Sequence, residues 1–295
     1  MTDVATADQT SNPGRKVPTR RMSFEESMRD LPRSFAADGD LISGHIIMAL
    51  SSVFPDGEDY FVRSVRHYRD QITDPALKRQ VAGFIGQEAV HGREHRVFND
   101  RLAELGYPTK TYERFTKAGL RFRERVLPAI SNLAATAALE HFTATLAELV
   151  LTNEEIRDLL GSDGVRDLFV WHALEESEHK AVAFDVYKAV GGRERLRIWT
   201  MNFFRLGFVF GMGLAVVLSL LGDRATYRKG NLRRSWRRLS SSPLADAAIW
   251  VQLKDYNRPD FHPDDSDTTA LVESWKATLF GEDGTLKDKL IGAAA

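Results

Sequence analysis

Residues 75–105 read PALKRQVAGFIGQEAVHGREHRVFNDRLAEL, and within them stands Glu88-Ala89-Val90-His91. Asp74 supplies an N-cap, Pro75 takes the first helical position, and Gly106 with Pro108 ends the stretch, so it predicts one long helix. At 3.6 residues per turn, positions i and i+3 share a face, so Glu88 and His91 point the same way. Residues 165–190 predict a second long helix that carries Glu176-Ser177-Glu178-His179 and stops at Gly191-Gly192. Two further helices offer one carboxylate each: Glu58 stands thirty residues before Glu88, and Glu140 thirty-six before Glu176.

A single Glu-x-x-His pair is common on a solvated helix. Two pairs, each preceded at near-equal spacing by a lone glutamate, are not. Glu, Glu-x-x-His, Glu, Glu-x-x-His is the inward-facing ligand order of ferritin-like dimetal carboxylate bundles. Phe84-Ile85-Gly86 precedes the first pair, and alanines and leucines surround Glu140. Burying four carboxylates among such neighbours without compensating charge is costly, whereas two divalent cations would neutralise them. The alternative is a set of solvated or salt-bridged faces. The expected metal ligands are Glu58, Glu88, His91, Glu140, Glu176 and His179.

Working outward, residues 41–54 (LISGHIIMALSSVF) form an apolar lead-in, Pro55-Asp56-Gly57 reads as a turn, and residues 58–72 as a helix. Residues 109–127 are amphipathic and very basic, 128–151 form an alanine-rich helix, and a short helix follows to Gly161. No alternating pattern is long enough for a sheet. The fold class is therefore all-α: a ferritin-like four-helix bundle with additional C-terminal helices. Residues 1–22 are expected to be a disordered tail, 23–192 the metal-binding bundle, and 193–295 an apolar helix, a basic patch and a covering segment of the same domain.

If the segment around 106–127 is a long crossover, the two Glu-x-x-His helices run antiparallel, and His95 and His172 fall towards the same end of the bundle. Each lies one turn beyond its own pair, as an extra ligand, a proton carrier or a donor to the ligating carboxylates. His141 points about 100° away from Glu140. His45 and His67 read as structural or exposed, and His262 is at most a remote ligand candidate.

The chain has 295 residues, 43% of them hydrophobic, and no cysteine. That excludes disulfides, thiolate metal sites and a cysteine nucleophile, so any metal is held by nitrogen and oxygen. With 40 basic against 41 acidic residues, the chain lacks the basic balance of a nucleic-acid binder, and no nucleic-acid partner is expected. The polar first twenty residues lack the apolar core of a secretory signal, so the expected location is cytoplasmic.

The residues also resemble a known family. Phe54-Pro55-Asp56-Gly57-Glu58, the run from Phe84 to His95, Leu139-Glu140-His141-Phe142, Trp171-His172-Ala173-Leu174-Glu175-Glu176-Ser177-Glu178-His179-Lys180 and the later Tyr256-Asn257-Arg258-Pro259-Asp260-Phe261-His262-Pro263 resemble the predicted metal-dependent hydrolases, ferritin-like proteins of bacteria. The resemblance spans about residues 22–280 and implies a helical metal-binding fold. The word hydrolase in the family's name is itself a prediction.

Two reactions fit the ligand set. A hydrolase would use two divalent ions to activate water against an ester, amide or phosphoryl group, with Glu94, Glu175 or Glu178 as candidate proton acceptors. An oxidase or oxygenase would place iron in the same ligands and act on an organic small molecule. Iron is the first expectation for the two metals, with manganese or zinc compatible with the same donors. Metal storage without an organic substrate accounts less well for a chain this much longer than a bare bundle.

Residues 206–221 (LGFVFGMGLAVVLSLL) are sixteen without a charge, followed by seven basic residues between Arg224 and Arg238. A spanning helix needs about 20 mostly apolar residues. This stretch reads as a buried core helix, as a monotopic or peripheral membrane segment at the inner face, or as a homodimer interface. A membrane contact would favour an apolar substrate. Residues 256–263 form a rigid aromatic loop, either a cover for the metal pocket or a structural clasp.

Overall fold

The computed structural model describes residues 14–292, and these form helices and turns with no strand beyond one isolated bridge between Met22 and Leu290. In chain order the helices are α1 (Glu25–Met28), α2 (Leu41–Arg66), α3 (Pro75–Glu104), α4 (Thr109–Val126), α5 (Ala129–Thr152), α6 (Glu154–Leu159), α7 (Asp163–His179), α8 (Val182–Ala189), α9 (Glu194–Gly222), α10 (Asn231–Ser241), α11 (Ala247–Asp255) and α12 (Thr269–Phe280). The all-α expectation holds.

The caps read from the sequence are present. Asp74 accepts from the N–H groups of Ala76 and Leu77 at the start of α3. At its end Gly106 takes φ +87°, and the Tyr107 N–H returns 2.9 Å to the Leu102 carbonyl. The pairs α2/α3 and α5/α7 pack face to face, and α2 meets α5 while α3 meets α7. Contacts of 3.0 Å from His91 to Glu175, 2.7 Å from His95 to His172 and 2.8 Å from Gln87 to His179 keep a nearly constant index sum, so α3 and α7 are antiparallel.

The turn expected at Pro55-Asp56-Gly57 is not there: α2 runs straight through it. Proline lacks the N–H that would bind the carbonyl of Ser51 one turn back, which ordinarily breaks a helix. Here the Asn99 side chain of α3 donates to that carbonyl at 2.9 Å, so the orphan is satisfied from outside. The helix expected over 165–190 is also two helices, interrupted at Lys180 and Ala181 directly after the second Glu-x-x-His pair. The Lys180 ammonium is held by the Ser266 carbonyl and the Thr268 hydroxyl.

The tail expectation needs correction for residues 14–22; residues 1–13 lie outside the described residues. Residues 17–20 lie against α3. A Cβ at Gly83 would stand 2.0 Å from the Val17 carbonyl oxygen, and one at Gly86 2.0 Å from the Thr19 hydroxyl, so these glycines let the strap approach. Met22 and Phe24 are buried, and the Ser23 N–H donates to the Lys289 carbonyl at 2.9 Å. The basic segment is the helix α4, lying along α2.

The core is two apolar clusters. One contains Met48, Phe98, Phe169 and Trp171; the other contains Tyr60, Phe84, Leu133 and Phe184. Between them α2, α3, α5 and α7 contribute a layer of buried carboxylates and imidazoles. The aromatic loop belongs to the second cluster: Tyr256 and Phe261 pack on His141, with ring centroids 5.2 and 5.0 Å away. The loop is a clasp.

The helix α9 is not the core helix that one reading expected. Only 17% of its most apolar stretch is buried, because it lies along the outside of α2 and α5.

Candidate metal centre

The six expected ligands come together, and all are at least 97% buried. Both oxygens of Glu58, Glu88 and Glu140, the Oε2 of Glu176, the Nδ1 of His91 and the Nε2 of His179 have no hydrogen-bond partner. Buried polar atoms are rarely left so, and here they face one another. The histidine tautomers, inferred from the surrounding hydrogen bonds, explain why.

Gln87 donates its amide N–H to the Glu178 carboxylate at 2.7 Å and to the Pro18 carbonyl at 3.0 Å, both acceptors. Its oxygen therefore faces His179, 2.8 Å from Nδ1, and takes the proton there. The Nε2 of His179 is then bare and looks at Glu88 (3.0 Å), Glu140 (3.4 Å) and Glu176 (3.5 Å). His91 donates from Nε2 to Glu175 at 3.0 Å, which leaves Nδ1 bare, 3.8 Å from both Glu88 and Glu176. In each case an outer hydrogen bond sets which nitrogen faces inward.

A longer chain sets the third imidazole. The Asn99 amide donates to the Ser51 carbonyl and, at 3.2 Å, to Glu113, so its oxygen receives the Ser51 hydroxyl proton at 2.7 Å. Ser51 Oγ then accepts from His95 Nδ1 at 2.9 Å, and His95 Nε2 accepts from His172 Nδ1 at 2.7 Å. His172 is left with a bare Nε2, 2.9 Å from Glu176 Oε1 and 3.7 Å from Glu58 Oε1. Two lone-pair atoms at 2.9 Å repel unless something positive lies between them. Donors that share one ion through bonds of about 2.1 Å at right angles stand about 3 Å apart. His172 thus faces the centre, whereas His95 orients it.

The donor atoms fall into two groups whose members lie within 4.8 Å of one another: Glu58, His91, His172, and Glu88, Glu176, His179. Glu88 faces His179 with Oε1 and His91 with Oε2, so it reaches both groups. Glu58 stands at the first end and Glu140 at the second.

Without a cation, protons meet the same demand. Burial and the nearby Glu88 push the Glu58 carboxyl well above the ordinary value, and burial with Glu176 does the same to Glu140. Burial pulls His91 down, but its bond to Glu175 and the nearby Glu88 carboxylate outweigh that and hold it up at about 10. His95 and His172 move the other way, lowered first by burial and then by a neighbouring imidazole.

The three candidate proton acceptors are placed elsewhere. Glu94 accepts from the Phe24 N–H at 2.7 Å and from Arg93. Glu175 is bound by Arg20 at 2.8 Å and by His91. Glu178 takes two 2.8 Å bonds from Arg20 and one from Gln87. All three hold hydrogen bonds to neighbouring residues. His45 is buried against Ser219 and Asp223, and His262 bonds Asp185 at 2.8 Å, away from the centre. Arg20, Gln87 and Ser51 carry no ligand-like spacing, and only the folded chain brings them in.

A cavity of about 650 Å³ reaches the centre from one side, touching Glu58 and Glu176. It runs between α4 and α9, walled by Phe61, Leu139 and Phe142 inside and by Phe115, Phe122 and Phe203 at its mouth.

Residues 18–267 match the family of predicted metal-dependent hydrolases. The chain belongs to that family. The match takes in both Glu-x-x-His pairs, the strap from residue 18 and the clasp. No curated protein and no solved structure matches the chain. Family membership and the buried His and Glu groups together support metal binding.

Proposed function

We propose that this chain is a ferritin-like dimetal carboxylate enzyme acting on a long apolar substrate. The observation that carries it is the set of buried donors without hydrogen-bond partners at the inner end of an apolar cavity. Glu58, His91 and His172 would hold one ion, Glu140 and His179 the other, and Glu88 and Glu176 would be shared. The bound pair supplies Lewis acidity and, if the metal is iron or manganese, redox chemistry. The cavity volume falls within the roughly 300–1,000 Å³ of small-molecule sites, and its phenylalanine and leucine walls exclude water from the substrate chain. Glu58 and Glu176 line the end of that cavity, so the reacting carbon meets the centre on their side. The Ser51–His95 relay keeps the proton of His172 on Nδ1, away from the centre.

Hydrolysis is the reaction that the family description supports. Oxidation with dioxygen and an external electron donor is a second reading, favoured by one feature. Most of the cavity's polar side chains are engaged: Arg123 donates to Tyr60 and the Ser131 carbonyl, Tyr112 to the Ala215 carbonyl, and Thr143 to the Glu140 carbonyl, while Thr116 also lines the wall. A polar scissile group would find few donors there, and an alkyl chain needs none.

Metal analysis of the purified protein tests the site. About two ions per chain are expected, lost in Glu88→Ala and in Glu176→Ala; unchanged metal content in both variants refutes the assignment. Iron with an absorbance change on oxygen exposure supports oxidation. Colourless zinc or manganese with turnover of long-chain esters supports hydrolysis.

A further inference from the structure

The helix α9 turns a long apolar stripe outward. Trp199, Phe203, Leu206, Phe210, Leu214 and Val217 follow at intervals of three and four, form one stripe, and are 47–74% exposed. Its buried residues are Arg197, Thr200 and Ser219 together with Met201, Val216 and Leu220, so polar side chains take half of the inward face while this stripe is turned out. A helix facing water has the opposite arrangement, and exposed apolar patches of this extent mark contact surfaces. The stripe continues onto α4, where Phe115, Phe122 and Val126 are more than half exposed.

Charge surrounds this apolar face. Between Arg224 and Arg238 there are seven basic residues and no acidic one, and Arg228, Lys229, Arg233 and Arg237 are exposed beside Tyr227 and Trp236. On α4, Arg114, Lys117, Arg121 and Arg125 are exposed beside Phe115 and Phe122. A second copy placed on the stripe would bring these cations against their own kind. An anionic bilayer accepts both parts: apolar side chains at the acyl boundary, cations at the phosphates, and Trp and Tyr between. By length and composition α9 could cross a bilayer, but it lies along α2 and α5, whose buried carboxylates could not follow it.

We infer that the α4–α9–α10 face docks monotopically on an anionic membrane, with the mouth of the cavity opening towards the acyl chains. The docking follows from the surface alone; the delivery of substrate through the mouth rests on the function proposed above. Phe115, Phe122 and Phe203 belong both to the exposed face and to the cavity wall, so a chain leaving the bilayer at that point enters the cavity without crossing water.

Flotation of the full chain with vesicles tests this. Vesicles of equimolar phosphatidylcholine and phosphatidylglycerol should carry the protein up, and phosphatidylcholine alone should not. Each of Arg233→Glu and Arg237→Glu should weaken binding about fivefold or more, as a basic residue near an anionic surface contributes about 1 kcal/mol. Leu206→Glu with Phe210→Glu should weaken it at least about tenfold with unchanged metal content. Binding should persist in Glu176→Ala, which separates docking from the metal reading. A protein that stays with the solution, or variants that float like the parent, overturns the inference. So does a concentration-dependent dimer, broken by Leu206→Glu with Phe210→Glu, without vesicle binding.

Discussion

Arg20→Ala perturbs the centre from a residue that touches no candidate ligand. The guanidinium spans Glu175 and Glu178 with three bonds of 2.8 Å, and those carboxylates are 0% and 1% exposed while Arg20 itself is 13% exposed. Removing one partner of a buried pair costs about 3–5 kcal/mol because the other charge is left without compensation. Glu178 keeps Gln87 and, at 3.3 Å, Lys276, which places the loss toward the lower figure. An unfolding entropy of about 2.1 cal/mol/K per residue over 295 residues is about 0.6 kcal/mol/K, so the melting temperature should fall by about 5–8 °C. Glu175 loses its fixed position, His91 loses the acceptor that keeps its Nδ1 bare, and metal affinity should fall about 10- to 100-fold. Differential scanning calorimetry and competition with a chelating dye read the two effects. Arg20→Lys keeps a charge but not the fork and should lie between. Unchanged melting and unchanged affinity in Arg20→Ala would refute the claim that the strap orients His91.

Two further outcomes follow from the geometry. In metal-free protein Glu58 and Glu140 have raised carboxyls and His91 and His179 raised imidazoles. A raised carboxyl favours folding only while protonated, and a raised imidazole only while charged, so the first contribution fades as pH rises above about 4.5 and the second as it rises above about 6.5. The melting temperature of the metal-free protein should therefore fall from pH 6 to 9 while that of the loaded protein does not, and loading should release protons in calorimetry across buffers of different ionisation heat; a parallel pH profile for the two forms argues against these groups as ligands. Gly207 lines the cavity and a Cβ there meets nothing within 4 Å, so Gly207→Leu should keep stability and metal content while slowing turnover of long apolar substrates more than short ones; equal rates would remove the cavity from the substrate path.

The helix content, the caps of α3 and the convergence of six candidate ligands were legible because each rests on local spacing, and a three-residue offset on a helix is the same in sequence and in space. The failures share the opposite cause. Pro55 reads as a breaker because the group that replaces its missing N–H, the Asn99 amide, comes from another helix. The strap reads as a tail because the partners of its Arg20 side chain and Pro18 carbonyl lie far along the chain, on α7 and α3. Glu175 and Glu178 sit beside Glu176 and share its composition, yet their neighbour Arg20 is more than 150 residues away, so spacing could not separate supporters from ligands. The exposure of α9 was undecidable from hydropathy alone, since a core helix and a membrane-facing one have the same composition.

The carboxylate and imidazole layer divides the apolar core into two compartments, and α2, α3 and α5 pass through both. A helix in water usually opens from its ends. In this protein the buried charges lie midway along α3 and in the last turns of α7, where charge without a counter-ion invites solvation. Metal bound there would therefore act as a rivet as well as a reagent, and its departure would loosen the seam between the two halves.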